Sequence, residues 1–212
     1  MSSKGWQDHA LSRVLELPAR ASDLRIELRN VLLRASNTRR LRTPPREIHQ
    51  LVQVLSEPGA PLAKQLRERE LHTNACCIVG GEKNLKRDHR LAHFTRDDDA
   101  WFDFTITVRE DNRRLELLAY DFEIRFPPGA GTPFLRFDLN LPAHRNEDRD
   151  LRSHLHPGSN DILVPAPMMS PTEVLTLFLD GLQLATNREE PRDLTAYEIE
   201  WFRNTHAALT AR

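Results

Sequence analysis

The 212-residue chain has two cysteines, eight glycines and three methionines. The cysteines, Cys76 and Cys77, are neighbours, which excludes a disulfide framework, since bridging needs spaced pairs with a fixed Cα separation. They lack zinc-finger spacing, and within NACCIVGG they read as two reduced thiols in a buried strand. No apolar run approaches the roughly 18 residues of a membrane-spanning helix. The first residues, MSSKGWQDHALSR, hold no apolar stretch of the signal-peptide kind, so no export is expected and the cytoplasm is the expected compartment. Gly80–Gly81 has neither the spacing nor the following Lys-Ser/Thr of a phosphate loop, and there is no G-x-S-x-G elbow. These absences remove the most readily named chemistries.

What is present is an ordinary globular balance, 39% hydrophobic and 29% charged. The net charge of −1 is unevenly spread. Residues 1–90 hold 17 Lys/Arg against 10 Asp/Glu, and residues 91–212 hold 13 against 21. A basic first half can meet nucleic acid or an acidic partner, or dock on the acidic second half of its own chain.

The hydrophobic period changes near His72. Before it, apolar residues follow a helical spacing. A first helix is expected over Gln7–Leu17, ended by Pro18. Ser22 is placed to cap a second, with Leu24, Leu28, Val31, Leu32 and Ala35 on one face. Thr43-Pro44-Pro45 starts a third carrying Ile48, Leu51, Val52 and Leu55, and a fourth runs from Leu62 to Leu71. After His72 the period is two. Strands are expected from Ala75 to Gly80 and through WFDFTITV, where Phe102, Phe104, Ile106 and Val108 alternate with Trp101, Asp103, Thr105 and Thr107. A turn at Asp111-Asn112 leads into RLELLAYDFEIRF, whose apolar phase slips by one residue and so predicts a β-bulge near Leu117–Leu118. FLRFDLNL, Ser153–His156 and Asp161–Val164 extend the sheet. Phe102, Phe104, Ile106, Leu135, Phe137 and Leu139 are the expected core. Two capping boxes, SPTE at 170–173 and TAYE at 195–198, open two closing helices. The fold class is α+β: a helical N-terminal region over 1–72, then an antiparallel meander with two C-terminal helices over 73–212, together one compact unit.

The polar residues of the last strands carry the candidate chemistry. In FLRFDLNL the apolar set Leu135, Phe137 and Leu139 leaves Arg136 and Asp138 on the opposite face, and Leu155 likewise separates His154 from His156. Arg125, Glu123 and Asp121 neighbour them, and His144, Arg145 and Arg152 lie in the following loop. Metal-independent RNA cleavage needs this set: a base for the 2′-hydroxyl, an acid for the 5′ oxygen, and cations for the phosphorane. The same residues fit two other readings, a solvated ion-paired surface and a His/Asp metal site, against which the surrounding arginines weigh. DDD at 97–99 reads as a solvated turn, and Arg39, Arg40 and Arg42 as a short basic loop able to grip phosphates. Trp201 and Phe202 fit a core or dimer contact.

The stretch Arg136–Leu179 runs R-F-D, A-H-R, S-H-L-H-x-G, V-P-A-P, then S-P-T-E-V-L. It resembles the C-terminal pattern of the TumE-like toxins of bacterial toxin–antitoxin systems. The resemblance covers about 45 residues, and residues 1–72 have no counterpart in it. It implies a small antiparallel sheet on helices, attack on RNA, and neutralisation by a cognate antitoxin. It carries Arg136, Asp138, His144, His154 and His156 as catalytic positions; apart from the resemblance, Arg145, Arg152, Arg39, Arg40 and Arg42 are the expected basic residues for RNA. No cofactor or metal is expected in this reading. The alternatives are a non-catalytic partner-binding module, a homodimer among its forms, and a metal-dependent hydrolase.

Overall fold

The structure is a computed structural model that describes residues 14–45, 48–51, 60–83, 87–111, 114–144 and 152–184, with the backbone alone for 48–51. The chain divides into two units, Met1–Leu182 and Gln183–Arg212, and the first is an α+β fold. In chain order the elements are α1 (Ala21–Asn37), β1 (Ile48–Leu51), α2 (Pro61–Glu68), β2 (Ala75–Gly80), β3 (Phe94–Thr95), β4 (Trp101–Asp111), β5 (Arg114–Arg125), β6 (Phe134–Leu139), β7 (Ser153–Pro157), β8 (Val164–Pro165) and α3 (Pro171–Thr176), which runs on into a π-helical turn, Leu177–Gly181. The sheet is antiparallel in the order β1-β2-β4-β5-β6-β7-β8, with β3 pairing with the start of β4. No helix among the described residues is long and apolar enough to cross a membrane.

Strand alternation builds two faces. On one, Phe102, Phe104, Ile106, Phe122, Ile124 and Phe137 pack with Leu24, Leu28 and Leu32 of α1 and with Val174, Leu175 and Phe178 after the capping box. Phe104 stacks on Phe122 at 4.8 Å, and Phe178 meets Phe102 edge-on at 5.8 Å. On the other face Leu66 of α2 closes a smaller cluster with Ala75, Cys77, Leu118 and Leu141. Cys76 belongs to the first cluster and Cys77 to the second, so the neighbouring thiols point apart and form no disulfide. Burial pushes the Cys77 thiol above its ordinary range, against a weaker contact from the Thr107 hydroxyl.

The bulge falls where the phase slip places it. Thr107 pairs with Ala119 but Val108 with Leu117, leaving Leu118 as the extra residue. Leu117 and Tyr120 thereby share the main core, while Leu118 turns to the second cluster. The capping box at Ser170 makes both of its bonds, Ser170 N–H to Glu173 at 2.7 Å and Glu173 N–H to Ser170 Oγ at 3.2 Å.

Four expectations need correction. Ile48–Leu51 is a strand, not part of a helix: it pairs with Cys77–Gly80 and satisfies the otherwise open edge of β2. Ser22 is not the cap of α1. That helix starts two residues earlier, at Ala21 after Arg20, and the Ala21 N–H donates to the Glu110 carboxylate at 2.8 Å, so a distant strand supplies the acceptor. Leu135 is half-buried; the other five expected core residues are buried. The Gln7–Leu17 helix lies mostly outside the described residues, and its end, Val14–Leu17, is not helical. The turn residue Asn112, the second capping box and Trp201–Phe202 lie outside the described residues.

Candidate functional site

The antiparallel register of β5, β6 and β7 assembles the polar set. Asp121 lies opposite Asp138, and Glu123 opposite Arg136. Across the next ladder Arg136 lies opposite His156, and Asp138 opposite His154. Directly opposite residues share a face with Cβ atoms about 5 Å apart. Four residues of the sequence-derived set are thus brought together by backbone pairing alone.

Asp138 is the hub. Its Oδ2 accepts from Arg136 Nε at 2.9 Å and lies 3.2 Å from His156 Nε2 and 3.5 Å from His154 Nε2. The donor atoms of Asp138, His154 and His156 all lie within 4.8 Å of one another. The imidazole centroids are 5.0 Å apart, at 70° to each other. Asp138 Oδ1 is buried without a hydrogen-bond partner. The second nitrogen of His156, Nδ1, faces the Ser159 carbonyl at 3.3 Å.

A layer of charge surrounds the hub. Arg136 Nη1 donates to Asn160 at 2.9 Å and lies 3.7 Å from Glu123. Glu123 also receives Arg125 at 2.9 Å and Arg87 at 3.2 Å, and the Arg87 guanidinium covers the Phe134 ring. Lys83 spans Asp103 at 3.1 Å and Asp121 at 2.8 Å. Four cations, Lys83, Arg87, Arg125 and Arg136, thus face four carboxylates, Asp103, Asp121, Glu123 and Asp138.

The field of this layer sets the acidities. Burial raises the Asp121 carboxyl to about 6, with Asp138 adding to the rise and Lys83 opposing it. Burial would lift Asp138 too, but the His154 hydrogen bond and the Arg136 charge outweigh it and hold that carboxyl below its ordinary range. His156 is held below the ordinary imidazole range, first by burial and then by Arg136. An ionised Asp138 between a guanidinium and two imidazoles can orient a ring, accept a proton or ligate a cation.

The remaining sequence-derived residues sit elsewhere. His144 lies in the turn after β6 with its Nδ1 buried and unpartnered, and it is not one of the donors grouped around Asp138. Arg152 donates to the backbone carbonyls of Asn140 at 3.1 Å and Leu118 at 3.2 Å. Arg40 pairs with Asp180 at 2.6 Å; Arg42 pairs with Asp99 at 2.5 Å and donates to the Asp97 carbonyl. Arg39 is exposed at φ +62°. Arg145 lies outside the described residues. In the DDD turn, Asp98 receives Arg96 at 2.6 Å and accepts from the Ala100 N–H at 3.2 Å, so it closes a loop.

Sequence reasoning missed Lys83, Arg87, Ser159 and Asn160. All four come from connections: the charged loop after Gly81 and the turn after Gly158, at φ +71° and +83°. Those glycines were the available signal, because a left-handed residue after a strand turns the chain back over the sheet. No protein-family model, curated protein or solved structure matches the chain.

Proposed function

We propose that this protein is a growth-inhibiting effector that cleaves RNA at the face formed by Arg136, Asp138, His154 and His156. The observation that carries the reading is the convergence of two imidazole Nε2 atoms and a guanidinium on one carboxylate oxygen. In 2′-hydroxyl attack on phosphorus, one imidazole takes the 2′-hydroxyl proton as the new O–P bond forms. The other protonates the 5′ oxygen as its bond to phosphorus breaks. Arg136 and Arg87 offer planar forks to the phosphorane oxygens. The likeness of Arg136–Leu179 to the TumE-like toxins supports RNA as substrate class and an antitoxin as partner.

A second reading, a non-catalytic binding module, is favoured by one observation. His154 and His156 are each only 4% exposed, and the charges around them are mutually paired. RNA incubated with the purified protein separates the two. The expected result is fragments ending in a 2′,3′-cyclic phosphate, lost in His154→Ala and His156→Ala variants whose thermal melts match the parent. RNA left intact by folded wild-type protein, with or without added divalent metal, overturns cleavage in favour of the module. Cutting that survives excess chelator assigns proton transfer to the imidazoles. Cutting that needs an added ion assigns it to metal-bound water.

A further inference from the structure

We propose that Asp138, His154 and His156 form a binding site for one divalent transition-metal ion of the zinc type. The inference deepens the proposed function at the same centre and replaces one part of it: imidazoles that hold an ion no longer move protons, and metal-bound water takes that role. It rests on that reading for what the ion does to a phosphodiester, whereas binding itself stands on the donor geometry.

The donor spacing suits an ion. Hydrogen bonds from imidazole to carboxylate cluster near about 2.8–3.0 Å. The two Nε2–Oδ2 separations, 3.2 and 3.5 Å, are both longer. A tetrahedral ion with bonds of about 2.05 Å sets its ligand atoms about 3.4 Å apart. The observed pair brackets that edge, and one ligand atom from each of the three residues lies within 4.8 Å of the other two. The three donors also stand as the corners of a coordination face, which an ion would fill in place of the His154 hydrogen bond to Asp138.

The protons on His156 point the same way. An oxygen lies opposite each of its ring nitrogens: the Ser159 carbonyl at Nδ1 and Asp138 Oδ2 at Nε2. A neutral imidazole has one N–H for these two acceptors. Given to Ser159, it leaves the Nε2 lone pair aimed at a carboxylate, which is repulsive unless a cation lies between. Metal-bound histidines commonly hold this arrangement, with the far N–H on a backbone carbonyl. The alternative, a buried imidazolium, stands beside the Arg136 guanidinium.

Asp138 Oδ1 is buried and unpartnered. A carboxylate that takes three neighbours on one oxygen and none on the other is poorly satisfied. An ion gives it a partner through a small turn of the carboxylate.

Arg136 does not forbid the ion. Its charge is already shared among Asp138, Glu123 and Asn160, and among the described residues the surrounding four cations and four carboxylates cancel. A dication on this neutral ground carries an excess of two charges, which draws an anion such as a phosphodiester oxygen to its remaining positions. Two imidazoles and one carboxylate suit zinc, cobalt(II) or manganese rather than magnesium or calcium, which prefer oxygen.

The test uses the full chain, stripped with chelator and dialysed. Cobalt(II) is titrated with its visible absorption read, and zinc by calorimetry. The expected result is one ion per chain, a cobalt spectrum of low coordination number displaced by zinc, and a thermal midpoint that rises with zinc. Asp138→Asn, close in shape to the parent, and His156→Gln should each weaken zinc at least 100-fold, whereas Lys64→Gln, at an exposed position of α2, leaves it unchanged. Wild-type protein that takes up less than a tenth of an ion per chain overturns the site, and this needs no variant. Binding that survives both substitutions also overturns it. Ion bound with RNA left intact keeps the site and sinks the cleavage reading. RNA cut by stripped protein that binds no ion does the reverse.

Discussion

Gly80 offers a quantitative test of how the sheet face that supports the site is packed. It ends β2, opposite Phe104 of β4. A Cβ built on it comes closer than 3.0 Å to three atoms of the Phe104 ring, Cε1, Cζ and Cε2. That ring is fully buried and held between Phe94 at 6.0 Å and Phe122 at 4.8 Å, so it has no free direction in which to give. Gly80→Ala should gain about 0.5–1 kcal/mol from reduced backbone freedom. Overpacking should cost about 1–3 kcal/mol, because a close-packed interior yields only by straining rotamers or moving strands. The net is a loss of about 1–2 kcal/mol. Phe104→Leu alone removes ring contacts and should cost about 1–2 kcal/mol. Combined, the two should not add, because the shorter side chain vacates the space the new methyl needs. A coupling of at least about 1 kcal/mol is expected from a double-mutant cycle in urea, read by circular dichroism. Additive losses, or a Gly80→Ala variant as stable as the parent, would refute a β2–β4 contact set by this ring.

Arg96 is 5% exposed, holds Asp98 at 2.6 Å, and donates to the carbonyls of Leu182 at 2.7 Å and of Phe178. Arg96→Met fills its volume but leaves the end of the π-helical turn without donors, and a loss of about 3 kcal/mol or more in urea unfolding is expected; a loss below the error of the fit refutes it. Carboxyl carbon NMR should place the Asp121 midpoint near 6 and that of Asp138 below the ordinary range; an Asp121 midpoint near 4 refutes the field around Lys83 and Asp138. Asp121 binds its proton more tightly when folded, so its contribution to stability is fully present below about pH 4 and is lost as pH rises through about 6. His156, held low, acts oppositely, its contribution present above the unfolded imidazole pKa and lost as pH falls through its depressed folded value.

The legible parts of the fold were those where a period is sustained. The eleven residues of β4 and the twelve of β5 left no choice of face, and even the bulge followed from a slip of one residue. Because Arg136 and Asp138 on β6, and His154 and His156 on β7, each keep period two, their shared face was readable before any pairing was known. What could not be read was decided by distant partners. IHQLVQVL satisfies a helical stripe as well as a strand, and over Ile48–Leu51 the open edge of β2 selects the strand. The α1 cap went to Glu110, 89 residues away, which no local pattern contains. Asp103 and Thr107 looked solvent-facing by phase yet are 2% and 3% exposed, because α2 and the loop after Gly81 return over that face.

The two faces of the sheet differ in what they contribute, and that difference bears on function. The apolar face, with its phenylalanines against α1 and the capping-box helix, is the part that drives folding, since burial of such rings stabilises by about 1.5–3 kcal/mol each. The polar face works against that. Buried ion pairs seldom outweigh the desolvation of their charges, and similar-sized apolar residues often serve stability as well or better. Stability therefore gives no reason for four carboxylates, four cations and two imidazoles to share one face. Nor does solubility, because a charge that keeps a protein in solution does so best fully exposed, and here Glu123, Arg136, Asp138, His154 and His156 are all at most 17% exposed at the side chain. Fixed charges in a place of low dielectric respond strongly to any new charge that arrives. Asp138 Oδ1, buried without a hydrogen-bond partner, is the acceptor that such a charge would meet first.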